Sequence, residues 1–94
     1  METKYEDLDP EALRRYIIRR HADLVRFRES LKTSDYALIQ NLGHNLKGNG
    51  SSFGFPELSQ LGAQIEASAK ATNFEETKKL VDQFEAWVHQ QKFF

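Results

Sequence analysis

Apolar positions along the chain recur mostly at helical spacing. Leu13, Ile17, Leu24 and Leu31 fall within about 40° of one another on a helical wheel at about 100° per residue. Tyr16 and Phe27 widen that face, and Arg15, Arg19 and Arg26 occupy the opposite one. Ile18 and Val25 lie on the flank, where a bundle leaves them partly exposed. Arg20 falls near the apolar stripe and is expected to run its stem along the core edge with its head in water. Further stripes follow at Leu38, Ile39, Leu42, Leu46 and Phe53; at Leu58, Leu61, Ile65 and Ala69; and at Phe74, Leu80, Val81, Phe84, Trp87 and Val88.

The punctuation between stripes has the chemistry of helix ends. Asp9-Pro10-Glu11 offers a cap, a proline at the first helical position and an acid in the first turn. Thr33-Ser34-Asp35 is a second cap cluster, Gly54-Phe55-Pro56-Glu57 again sets proline just inside a helix start, and Thr72-Asn73 breaks the third stripe from the fourth. These signals predict helices over residues 10–31, 35–53, 56–71 and 74–91. Four apolar stripes joined by short links can be buried only against one another, and short links favour antiparallel neighbours. The expected fold is all-α: an antiparallel up-and-down four-helix bundle, one domain over residues 1–94, with a short N-terminal extension.

The segment from Gly43 to Ser52 sets local propensity against periodicity. Each interior glycine costs a helix about 1 kcal/mol relative to alanine, so Gly43, Gly48 and Gly50 together would cost roughly 3 kcal/mol. Propensity alone ends the helix near Lys47. Yet Phe53 lies about 20° from Leu42 if the helix runs through, so the stripe resumes in phase. On that wheel His44 lies about 200° from Leu42, on the pole facing solvent. Lys47 and Gly48 are its neighbours at i+3 and i+4, and Ser51 and Gln40 share its face. The glycines acquire a reason if another protein's surface or a phosphoryl group must approach that face closely. Asn49 points near the core side and needs a hydrogen-bond partner there. Gly62 is read as a close helix–helix contact.

His44-Asn45-Leu46-Lys47-Gly48, followed by Phe53-Gly54-Phe55, Leu58, Leu61-Gly62 and Ile65-Glu66, resembles the signature of histidine-containing phosphotransfer (HPt) domains of two-component phosphorelays. Asn49 and Gly50 depart mildly from it, since small residues such as Ser or Ala are common there. The resemblance implies a carrier without kinase or hydrolase activity of its own. Its histidine takes a phosphoryl group from a receiver-domain aspartate and passes it to another receiver. The implied partners are response-regulator receivers and a sensor or hybrid histidine kinase. The implied chain is a monomer without a cofactor, Mg²⁺ being held by the receiver.

Under that resemblance each residue acquires a role. His44 is the phosphorylated nucleophile, attacking through Nε2. Glu66, on the edge of the third stripe, accepts from Nδ1, fixing the tautomer and raising the basicity of the other nitrogen. Lys47 offsets negative charge on the phosphoryl group. Gly48 gives clearance, and Ser51 and Gln40 are possible donors. Ile18, Val25, Arg15 and Arg19 are expected at the docking rim. His21 and His89 have no assigned role.

Composition narrows the field further. Six arginines (Arg14, Arg15, Arg19, Arg20, Arg26, Arg28) crowd the first third of a chain whose net charge is −1. They read as a solvated helix face or as a docking surface for an acidic partner. Nucleic acid is disfavoured by the overall charge and the lack of a matching motif. There is no cysteine, which excludes a disulfide scaffold and a thiolate metal site. No ligand cluster for a metal is evident. No apolar run approaches the ~18 residues of a membrane span, and the charged first residues do not read as a signal peptide, so a cytoplasmic location is expected. The Gly-Asn-Gly-Ser-Ser run lacks the Gly-Lys-Ser/Thr ending and the preceding strand of a nucleotide-binding P-loop. Two rival readings remain: a helical adaptor that binds receivers without taking phosphate, and the substrate-histidine domain of a chemotaxis-type kinase.

Overall fold

A computed structural model describes residues 10–91. The expected N-terminal extension, the Asp9 cap and Phe93-Phe94 lie outside the described residues. Four helices follow in order: α1 (Pro10–Thr33), α2 (Tyr36–Asn49), α3 (Pro56–Lys70) and α4 (Phe74–His89). Their principal contacts run α1–α2, α2–α3, α3–α4 and α4–α1, the closed cycle of an up-and-down bundle. α1, at 24 residues, is about 36 Å long and packs against α2 and α4.

The termini are held as the sequence implies. Asp35 caps α2 by accepting from the backbone N–H of Leu38 at 3.1 Å, and Asn73 caps α4 by accepting from Glu76 at 3.1 Å. Pro56 opens α3. Gly54 adopts a left-handed backbone (φ 89°), a conformation that glycine enters without the steric cost of a Cβ.

The second helix is shorter than its stripe predicts. It ends at Asn49, and Ser51–Phe53 form a single 3₁₀ turn. The cause is local. The N–H of Ser51 is taken by the Ser59 hydroxyl at 2.8 Å instead of a carbonyl one turn back. The N–H of Phe55 returns to Gly50 O at 2.9 Å, folding the chain toward Pro56. Phe53 nevertheless reaches the core edge that its phase predicts. Its ring stacks on Tyr16 with centroids 4.2 Å apart.

The core joins all four stripes. Ile17, Phe27, Ile39, Leu46, Leu58, Ile65, Val81, Phe84 and Val88 are essentially inaccessible. Phe27 meets Phe84 edge-on at 5.4 Å, linking α1 to α4. On the outside of that pair Arg28 bridges Asp82, at 2.9 Å, and Glu85. Arg20 departs from its expected place. Its guanidinium does not reach water but lies over the Tyr16 ring at 4.3 Å and pairs with Asp23 at 2.8 Å. A buried cation in this position is tolerated because the carboxylate and the ring replace its hydration.

Candidate functional site

α2 and α3 make the most intimate contact in the molecule, and two glycines permit it. A Cβ on Gly62 would stand 2.4 Å from the Lys47 nitrogen and 2.7 Å from the Gly43 oxygen. A Cβ on Gly43 would stand 2.8 Å from the Glu66 nitrogen. The two backbones therefore touch directly at the level of the His44–Lys47 turn. This corrects the sequence reading of the glycines. Gly43 is buried against α3, and Gly50 is buried against Leu58 and Ser59. Only Gly48 leaves open space, with nothing within 4 Å of where its Cβ would be.

That close approach brings Glu66 of α3 beside His44 and Lys47 of α2. The carboxylate spans both: Oε2 lies 3.1 Å from His44 Nδ1, and Oε1 lies 3.0 Å from Lys47 Nζ. Lys47, expected to face a phosphoryl group, is thus already engaged by a carboxylate. The Lys47 hydrogen bond holds the Glu66 carboxyl below the usual carboxylate range, and the His44 bond adds to it; partial desolvation works against both. Glu66 stays ionised and, accepting from Nδ1–H, fixes the tautomer that leaves the Nε2 lone pair free. The His44 side chain is 60% exposed. With Nδ1 turned to α3, the opposite edge of the ring carries Nε2 toward solvent.

Two depressions flank the ring. On the α3 side Ala37, Gln40, Asn41 and Glu66 surround it. On the α1 side a broader groove runs between α1 and α2, lined by Arg19, Ala22, Asp23 and Arg26 across from His44, Asn45, Gly48 and Asn49. Its floor is fixed. Tyr16 donates to Asn49 Oδ1 at 2.6 Å, which supplies the partner that Asn49 needs, and Arg20 covers the Tyr16 ring. Burial pushes the Asp23 carboxyl above its usual range, against the pull of Arg20.

Not every expected site residue gathers here. Gln40 does, beside His44. Ser51 is exposed, but its N–H donates to the Ser59 hydroxyl and its carbonyl accepts from Gly54, and it lines neither depression. Arg19 lines the α1 groove; Ile18 (43% exposed) and Val25 (56% exposed) do not. Arg15 pairs with Glu11 at 3.7 Å within α1. Arg26 stands in the groove although the sequence reading gave it no site role. The signal was its place seven residues after Arg19, on the same stripe. Among the described residues no cluster of three or more His, Cys, Asp or Glu could hold a metal ion. No helix among them is long and apolar enough to cross a membrane.

A family model described as the Hpt domain matches residues 11–92 of the chain. No curated protein and no solved structure matches it.

Proposed function

Because the chain belongs to the Hpt domain family, whose members are histidine phosphotransfer carriers of two-component signalling rather than classical enzymes, we propose that His44 is its phosphorylated residue and that it relays a phosphoryl group between receiver aspartates. The observation that carries this reading is the Glu66 carboxylate on Nδ1 of an imidazole whose other edge is exposed. His89, by contrast, faces Glu85 of its own helix, at 3.9 Å.

In the forward step the Nε2 lone pair of His44 attacks the phosphorus of a receiver aspartyl phosphate. The N–P bond forms as the P–O bond to the aspartate breaks, and that bonding pair leaves with the carboxylate. The Nδ1 proton stays in place, so the ring becomes cationic, and Glu66 stabilises it across 3.1 Å. Delivery to the next receiver reverses these events. The receiver supplies the aspartate and Mg²⁺, since phosphoryl transfer depends mainly on positioning and charge stabilisation. Gly48 lets the incoming phosphoryl group pass. Lys47 supplies positive charge when a phosphoryl oxygen competes with Glu66 for its ammonium. Gln40 is the donor on the α3 side. Docking extends outward over Arg19, with Ile18, Val25 and Arg15 further around α1. Association is brief and of small area, as a relay must release each partner.

The test uses radiolabelled phosphoryl groups on a panel of receivers. Wild-type chain should take up acid-labile, base-stable label, and His44→Gln should take up none. Label retained by His44→Gln moves the site elsewhere. Receiver binding without any label on the wild type supports the adaptor reading instead.

A further inference from the structure

The two flanks of His44 differ in charge. On the α1 side Arg19 and Arg26 are exposed, and neither makes a hydrogen bond or ion pair with another described residue. The acid in that groove, Asp23, is paired with Arg20 at 2.8 Å, with the two side chains only 18% and 9% exposed, and Arg26 acts on it only at longer range. The groove therefore carries two cations in excess, one turn-pair apart along α1. On the α3 side the nearest cation, Lys47, is held by Glu66, and the remaining lining is Ala37, Gln40 and Asn41. Among the described residues that flank offers no cation free of a carboxylate partner.

We propose that Arg19 and Arg26 grip acidic side chains at the rim of the receiver's phosphorylation site, so that the partner docks over His44 one way round, with its acidic edge toward α1. This rests on the reading of His44 as the relay histidine. The chemistry of the partner supplies the complementarity. A surface that holds Mg²⁺ beside an aspartate needs carboxylate oxygens, and guanidinium forks match carboxylates better than any other side chain. The stiffness of the groove suits the task. Tyr16 ties its α2 wall to α1 through Asn49, so the distance from the arginine stripe to the imidazole is fixed before the partner arrives. Arg19 and Arg26 are positioning residues here: they orient the aspartyl phosphate and take no part in the bond exchange.

The experiment compares wild type, R19E/R26E and K70E/K79E, a pair on α3 and α4 outside both depressions that changes net charge equally. Each is mixed with purified receivers labelled by acetyl phosphate, and folding is checked by circular dichroism. R19E/R26E should lose on the order of tenfold or more in kcat/KM at low salt, through KM, because rim charges act mainly on encounter and orientation. Raising salt from about 0.02 M to about 0.3 M should slow the wild type and largely level that difference. Changing to lysine those receiver rim acids that flank the Mg²⁺ site without ligating the ion should restore transfer to R19E/R26E and impair the wild type. K70E/K79E should stay within twofold of wild type. Equal kcat/KM for R19E/R26E and wild type overturns the proposal while leaving the relay reading intact. An equal loss in K70E/K79E reduces the effect to net charge and also overturns it. If R19E/R26E blocks labelling by a histidine kinase with ATP but not by receivers, the groove serves the kinase, and the proposal falls. A folded wild type that no receiver labels removes the relay reading itself.

Discussion

Three glycines give the sharpest test of how the site is built, because one substitution should act with opposite sign at different positions. Alanine in a helix interior gains about 1 kcal/mol over glycine from backbone entropy. At Gly48 nothing lies within 4 Å of the new methyl group, so that gain stands alone. Gly48→Ala should stabilise the fold by up to about 1 kcal/mol, or roughly 4–8 °C in Tm for a domain of this size. At Gly62 the same methyl would lie 2.4 Å from one backbone atom of α2 and 2.7 Å from another. Backbone cannot rotate aside, so α2 and α3 must separate. Overpacking of this kind costs about 1–3 kcal/mol, and a clash with backbone belongs at the upper end. After the propensity gain, Gly62→Ala should lose at least about 1–2 kcal/mol. Gly43→Ala, with contacts at 2.8 and 3.0 Å, should fall between the two. Urea denaturation followed by circular dichroism measures all three. Separation of the helices also lengthens the His44–Glu66 bond, so Gly62→Ala should transfer phosphate more slowly even where it remains folded. A Gly62→Ala protein as stable as wild type, or a destabilised Gly48→Ala, would refute the reasoning that Gly62 exists for helix contact and Gly48 for access.

Three further substitutions test the same geometry. Gly48→Gln should fold normally but accept phosphate more slowly, since a long side chain there stands one turn from Nε2; an unchanged rate in a stopped transfer assay removes Gly48 from the site. Glu66→Gln should reduce transfer on the order of tenfold by weakening the hold on Nδ1 and releasing Lys47. Because the folded-state pKa of Glu66 is lowered, its ionised form favours the native state above the ordinary carboxylate range, and that contribution disappears as pH falls through the lowered value. The Tm difference between wild type and Glu66→Gln should thus be present near pH 7 and vanish in acid; a difference that grows in acid contradicts the assignment. Tyr16→Phe keeps the stack on Phe53 but strips Asn49 of its 2.6 Å partner, and should cost about 1–2 kcal/mol in urea denaturation.

Much of this molecule was legible in one dimension. Helical spacing and cap chemistry are local, so α3 and α4 begin where Pro56 and Asn73 indicate, and Asp35 caps α2. The exposure of His44 followed from its phase against Leu42, because a helix that buries one face must show the other. The extent of α2 did not follow, since the interruption at Ser51 depends on the hydroxyl of Ser59, eight residues away. The fate of Arg20 depended on an aromatic ring and a carboxylate that only the folded helix and its neighbours bring into register.

Sequence by itself determined four amphipathic helices, an imidazole on an outer pole and a glycine beside it. Tertiary structure alone decided which glycines are for contact and which for access, that one carboxylate serves both His44 and Lys47, and that Arg26 joins Arg19 in the groove. The physical reason is that phase within a helix is fixed by 3.6 residues per turn. The distance between two helices is fixed by what their touching faces leave out, here a pair of side chains absent at Gly43 and Gly62.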